Sequence, residues 1–119
     1  GELDHICRAL AENKVLELLD LSFNNLSARG CVRLAAPLKE NVSIIDLSLR
    51  GNHMGDLGAQ AFADALMDNQ GLTKLDVSNN AIDEAGGAAL AALLSACPKL
   101  LFADMSWNSI RLKGADAIA

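Results

Sequence analysis

Three cysteines, two histidines and fifteen acidic residues are the groups of this 119-residue chain that could do chemistry. Together they could hold a zinc ion or pair a nucleophile with a base. Their placement argues against both. A zinc site needs three or four ligands converging on one point. Cys7, Cys31 and Cys97 are scattered, and His5 lies far from His53. His5 and Cys7 are two residues apart, and on a helix such a pair diverges. Ser48, His53 and Asp76 supply the residue types of a hydrolytic triad, but nothing accompanies them as an oxyanion site. Gly86-Gly87 lacks the Gly-Lys-Ser/Thr of a phosphate loop. The expectation is a chain with no catalytic residues, no cofactor and no metal, and so not an enzyme.

An odd, scattered set of cysteines is no disulfide framework; it reads as free thiols in a reducing, cytoplasmic compartment. Asn25-Leu26-Ser27 and Asn41-Val42-Ser43 match the acceptor pattern for N-glycosylation and pull the other way. Such tripeptides are common by chance, and the thiols carry more weight. The formal net charge is −5, which argues against nucleic acid or an anionic membrane as partner, since both select clustered Lys and Arg. No apolar run approaches the ~20 residues of a membrane helix. The amphipathic, charged opening GELDHICRALAEN is not a signal peptide. Hydrophobic residues make up 51% of the chain and aromatics 3%, with no Tyr, so the core must be aliphatic.

What remains is a repeat. LELLDLSFNNL from Leu16, IIDLSLRGNHM from Ile44, LTKLDVSNNAI from Leu72 and LLFADMSWNSI from Leu100 align with a step of 28 residues. Leu16, Ile44, Leu72 and Leu100 form one column. Leu19, Leu47, Leu75 and Ala103 form the next, followed by Leu21, Leu49, Val77 and Met105. Asn24, Asn52, Asn80 and Asn108 are invariant, as are Gly30, Gly58, Gly86 and Gly114. Leu26, Met54, Ile82 and Ile110 close the motif, and Leu34, Phe62, Leu90 and Ile118 share a column downstream, with Leu38, Leu66 and Leu94 four residues further on.

Residues 18–22 alternate between core and solvent, which predicts a short strand. Residues 28–40 carry apolar side chains at helical spacing. One strand and one helix cannot bury their own apolar faces; stacked copies can, at about 1.5–3 kcal/mol per large aliphatic side chain. The expected fold is an α/β right-handed βα solenoid, a horseshoe segment with a parallel sheet on the concave face and α-helices on the convex face. Residues 1–13 read as the helix half of a first repeat, 14–41, 42–69 and 70–97 as full repeats, and 98–119 as a partial last one, all within one domain that looks like a segment of a longer array. Each invariant Asn is expected to satisfy backbone groups within and between repeats, at a cost of about 1–3 kcal/mol if Asn80 is truncated. The invariant Gly near each helix start predicts close packing of helix on strand or an unusual backbone angle.

The pattern L-x-x-L-x-L-x-x-N-x-L resembles the leucine-rich repeat. The 28-residue step with a full helix, carried by LDLSFNNLSARG and LDVSNNAIDEAGGAALAALL, is similar to the ribonuclease-inhibitor-like subfamily. That resemblance implies a non-catalytic scaffold for protein–protein interaction. Its members include the Ran GTPase-activating protein, the sensor arcs of NOD-like receptors and subunits of ciliary and flagellar complexes. It therefore also allows a small-GTPase regulator or a receptor sensor arc, and a cytoskeletal or ciliary setting. All matching residues are structural, so no functional residue carries over from the family.

Period-two alternation assigns the outward strand positions. They are Leu18, Asp46, Lys74 and Phe102; Asp20, Ser48, Asp76 and Asp104; Ser22, Arg50, Ser78 and Ser106; and, where the strands end, Phe23, Gly51, Asn79 and Trp107. From these, Phe23, Phe102 and Trp107 are expected to anchor a protein partner, with Arg50, Lys74, Asp76 and Asp104 setting register. A second surface is expected on the convex side, where the helix from Ala85 to Ala96 is apolar all round and Leu93 is assigned outward with Pro37 and Ala65.

Overall fold

The computed structural model describes residues 2–69, 71–106 and 108. Helices and three-residue strands alternate: α1 (Glu2–Glu12), β1 (Leu18–Asp20), α2 (Ser27–Glu40), β2 (Asp46–Ser48), α3 (Gly55–Met67), β3 (Lys74–Asp76), α4 (Glu84–Ala96) and β4 (Phe102–Asp104). The strands form one parallel sheet in the order β1-β2-β3-β4. Leu19 pairs with Leu47, Leu47 with Leu75 and Leu75 with Ala103, so the register advances by one repeat per strand. The strands are shorter than the alternation over 18–22 predicts, yet pairing runs on beyond them. Leu21 N–H donates to Ser48 O at 2.9 Å and Phe23 N–H to Arg50 O at 2.8 Å.

Sheet and helices enclose one aliphatic core. Leu47, Leu49, Leu75 and Val77 point into it from the strands, and Leu34, Leu38, Phe62, Leu66 and Leu90 from the helices. Leu16 departs from its column: Ile44, Leu72 and Leu100 are buried, but Leu16 is 40% exposed. It lines an apolar cleft of about 120 Å³ with Ile6, Leu10, Leu19 and Leu21, beside the sheet's edge strand. Among the described residues, no helix is long and apolar enough to cross a membrane.

The outward assignment of Leu93 is overturned. Leu93 is fully buried, Ala65 is buried and Pro37 is half-buried. This column lies three residues past Leu34, Phe62 and Leu90, and on a helix such pairs share a side. A solenoid helix also has neighbours on both flanks, so its apolar stripe is wider than that of an ordinary surface helix. The outer face of α4 carries only small side chains besides Glu84, namely Ala85, Ala88, Ala92, Ser95 and Ala96.

Close contacts explain Gly58 and Gly86, while Gly114 lies outside the described residues. A Cβ on Gly86 would stand 2.7 Å from Ile82 Cγ2 and 2.9 Å from Ala59 Cβ, and one on Gly58 would stand 3.2 Å from Cys31 Cβ. The sequence predicts packing of helix on strand; at Gly58 and Gly86 the close approach is instead to the preceding helix and to the side chain four residues before. That closeness lets one helix cap the next. Asp56 Oδ1 accepts from Asp83 N–H at 2.8 Å and Gly86 N–H at 3.0 Å, satisfying the first turn of α4 from the neighbouring repeat.

Pro37 lies inside α2. It has no N–H, so the Arg33 carbonyl loses its intrahelical donor. The Cys7 thiol of α1 donates to that carbonyl at an S···O distance of 3.7 Å. A thiol is a weak donor, so the repair is partial. Pro37→Ala is expected to raise the unfolding free energy by about 1–2 kcal/mol, part of the ~3 kcal/mol that an interior proline costs. Urea denaturation measures this, and an unchanged or lower midpoint would mean that Pro37 is placed without strain.

Candidate protein-binding surface

Two amide ladders fix the backbone that presents the surface. In the first, Asn52 Nδ2 donates to Leu21 O at 2.8 Å in the preceding repeat and to Leu49 O at 3.0 Å in its own. Its Oδ1 accepts from Asn24 N–H at 2.9 Å and Leu26 N–H at 3.3 Å. Asn80 repeats the arrangement one step on, and Asn108 receives Asn80 N–H at 2.8 Å. The second ladder runs below the strands. Asn41 Nδ2 donates to Leu10 O and Asn69 Nδ2 to Leu38 O, both at 2.8 Å. Cys97 takes the next place in that ladder, its thiol donating to Leu66 O at 3.6 Å.

Carboxylates on the concave face have a structural task. Asp76 Oδ1 accepts from Ser78 N–H at 2.9 Å and Ser78 Oγ at 2.6 Å, and Asp104 does the same for Ser106 at 3.0 and 2.6 Å. Asp20 holds Ser22 alike. The Ser22 hydroxyl, then its amide, hold the Asp20 carboxyl below its ordinary value. Asp104 is lowered by the Ser106 hydroxyl and amide and, more weakly, by the charge of Arg50. Asp20 and Asp104 therefore stay charged at neutral pH with one oxygen occupied. The second repeat breaks the pattern with Ser48 and Arg50, and there Ser48 Oγ meets Ser22 Oγ at 2.7 Å.

Arg50 reaches back toward the first repeat. Its Cζ lies 5.9 Å from the Phe23 ring centroid, within cation–π range. Its Nε is buried without a hydrogen-bond partner. Phe23 is 64% exposed and adopts φ 56°, a left-handed conformation uncommon for a bulky residue. The ring lies so close over Gly51 that a Cβ there would stand 2.4 Å from it. Gly51 thus makes the seat, and the exposed Phe23 and half-buried Arg50 form one aromatic–cation pair on it.

Comparison with known proteins adds to this geometry. The profile described as Leucine Rich repeat matches residues 12–35, 40–63 and 68–91. The chain belongs to the leucine-rich-repeat family. No curated protein matches it significantly. Among solved structures it is similar to "Leiomodin-1 Actin-Binding Site 2 (ABS2)", with a TM-score of 0.85 and 18% identity over 98% of this chain and 68% of that one. At that identity the likeness speaks for the leucine-rich-repeat fold alone.

Within this leucine-rich-repeat sheet, the expected anchors fall unevenly. Phe23 and Arg50 come together, and Asp104 feels the Arg50 charge. Lys74 and Asp76 stand at opposite ends of β3, the first exposed and the second half-buried. Phe102 belongs to β4 by its backbone, and Trp107 lies outside the described residues. Ser78, expected outward, is buried because its hydroxyl turns to Asp76. Sequence reasoning missed the row where the strands begin. Val42 and Ile45 are 63% and 42% exposed, and Leu101 is 79% exposed. The signal was present as apolar residues flanking the core column at Ile44 and Leu100.

Proposed function

We propose that this chain is a non-catalytic scaffold of the ribonuclease-inhibitor-like subfamily that binds a protein partner through its concave face. The uniform 28-residue step and the helices α1 to α4 alternating with the described strands support the subfamily. The observation that carries the function is the Phe23–Arg50 pair. An exposed aromatic held in a left-handed conformation, within cation–π range of a guanidinium whose Nε has no acceptor, is costly in a free chain. Interfaces concentrate such aromatic and Arg anchors. Lys74, Asp76 and Asp104, with Phe102 and Trp107, extend the surface across the later repeats and set the partner's register.

A reducing, cytoplasmic setting fits the chemistry. Cys7, Cys31 and Cys97 are free, and burial pushes the Cys31 thiol up to about 11, away from reactivity. Asn41 is buried with its amide bonded to Leu10 O and Ile44 N, so that acceptor tripeptide is closed in the folded chain. The readings as a GTPase regulator or a receptor sensor arc share the fold but rest on no particular residue here.

The test is affinity capture with the wild-type chain and a Phe23→Ala, Arg50→Ala variant, quantified by mass spectrometry. At least one protein should be recovered at tenfold or lower yield on the variant, the size of effect that interface anchors produce. Actin is the first defined probe, since the leiomodin structure is named for binding it. Equal recovery of every protein by both chains, with unchanged unfolding midpoints, would remove the pair from the interface.

A further inference from the structure

The sheet has a second exposed row, along the rim where the strands begin. Ile45 N–H donates to Glu17 O at 2.8 Å, Thr73 N–H to Ile45 O at 2.9 Å, and Leu101 N–H to Thr73 O at 2.9 Å. One backbone ladder therefore aligns Glu17, Ile45, Thr73 and Leu101 across all four strands. Ile45 and Leu101 lie on it, with Leu18 beside it in the next register row and Val42 in the loop before β2. Leu18 is 60% exposed, Val42 63%, Ile45 42% and Leu101 79%. Val42 and Ile45 have a repeat stacked on either side, so their exposure is not an effect of the sheet's edge.

The rim is also rigid. Asn41 Oδ1 accepts from Ser43 N–H at 3.0 Å and Ile44 N–H at 2.8 Å, and Asn69 Nδ2 donates to Asn41 O at 2.8 Å. A Cβ on Gly71 would stand 2.6 Å from Val42 O, so only a glycine lets the two loops stack this closely. Exposed aliphatic side chains on a locked backbone lose little conformational freedom on binding.

We propose that this rim is a docking site for an amphipathic α-helix of a partner protein, lying across the strands. Two observations choose that occupant. The first is pitch. Neighbouring strands stand about 4.8 Å apart, and one turn of a helix rises about 5.4 Å. Side chains at i, i+3 or i+4, and i+7 therefore meet Glu17, Ile45 and Thr73 in turn, with the next turn reaching Leu101. An extended segment advances about 6.6 Å between side chains on one face and falls out of step within two strands. The second is charge. Glu17 opens the row, and Asp46 in the second repeat and Lys74 in the third lie beside it, in the neighbouring register row with Leu18. The complementary helix carries Lys or Arg at the end over β1 and β2, and Asp or Glu at the end over β3. The site is separate from the Phe23–Arg50 pair, which lies where the strands end.

The test selects 16-residue peptides from a displayed random library on the wild-type chain, then measures binding by fluorescence anisotropy. The expected peptides have apolar residues at helical spacing with basic and acidic residues at opposite ends, and gain helical circular dichroism on binding. Ile45→Glu should weaken them at least tenfold and Lys74→Glu should favour peptides of reversed charge order. The Phe23→Ala, Arg50→Ala variant should bind them as the wild type does. Leu101→Glu, at the most exposed position of the row, serves as the second variant if Ile45→Glu lowers the unfolding midpoint. The proposal is overturned by selected peptides with alternating or proline-rich patterns, by binding indifferent to both Glu variants, by an absence of enriched peptides, or by sedimentation showing that the chain pairs with itself through Ile45. Loss on the Phe23, Arg50 variant alone would return the peptides to the concave-face site.

Discussion

Asn80→Ala is expected to lower the unfolding free energy by about 3–5 kcal/mol, while Asn24→Ala in the same column costs about 1 kcal/mol or less. The difference follows from what each amide touches. Asn80 Nδ2 donates to Leu49 O at 2.8 Å and to Val77 O and Ser78 O at 3.0 Å. Its Oδ1 accepts from Asn52 N–H at 2.9 Å and Met54 N–H at 3.1 Å. Asn80 is fully buried, so water cannot replace the lost partners: Asn52 N–H and Met54 N–H are left unpaired, and Leu49 O, Val77 O and Ser78 O each lose one of two donors. Each neutral bond is worth about 0.5–1.5 kcal/mol net, and an orphaned buried group costs more than a bond gains. Asn24 is exposed, and its amide donates to Ser22 O at 3.1 Å. Equilibrium urea denaturation of both variants decides the matter. Losses within about 1 kcal/mol of each other would show that the column works by something other than buried amide pairing.

That contrast also shows what the sequence made legible. An invariant Asn flanked by apolar columns implies a buried amide serving two repeats, because no other role requires the same residue every 28 positions. The strand register, the helix faces and the aliphatic core follow from the same columns. Features that no repeating column marks did not follow. Asp56 caps α4 from 27 residues upstream, whereas sequence signals for helix caps are local. Arg50 and Phe23 meet across a repeat boundary over Gly51, and no periodic column marks a contact between unlike positions. The Asp-x-Ser pattern at 20–22, 76–78 and 104–106 was visible as outward residues two apart on a strand. That they bond to each other rather than wait for a ligand needed coordinates. Leu93 was misassigned because a helix wheel drawn for one neighbour underestimates the stripe that two neighbours demand.

The two surfaces divide along the same line. The concave-face residues vary while their backbone is held by invariant groups, and the rim residues vary over a backbone held by the Asn41 and Asn69 ladder. A scaffold of this kind separates what must be constant from what can be specialised. The amides and glycines set the positions, and the exposed side chains on those positions decide what binds.

Phe62→Ala is the other large effect expected, a loss of about 3–5 kcal/mol. Phe62 stands where its column has Leu34 and Leu90, and it is 1% exposed. Leu10, Leu21, Leu34, Leu38, Leu47 and Leu49 line the same interior space, so the ring joins α1, α2 and α3 to the first two strands. Removing it leaves a void that cannot collapse, because the amide ladders hold the strands at fixed spacing. In a solenoid, stability is a sum of repeat terms and nearest-neighbour interfaces. A void at the interface of α2 and α3 therefore weakens the coupling between the first repeats and the rest. Native-state hydrogen exchange should show amides of α1, α2 and β1 opening at lower free energy than those of β3 and α4. Phe62→Leu, which restores the column's usual residue, should cost about 1–1.5 kcal/mol and leave a single cooperative transition. If alanine and leucine prove equally damaging, the interior around Phe62 relaxes freely, and the ladders are not the rigid frame described here.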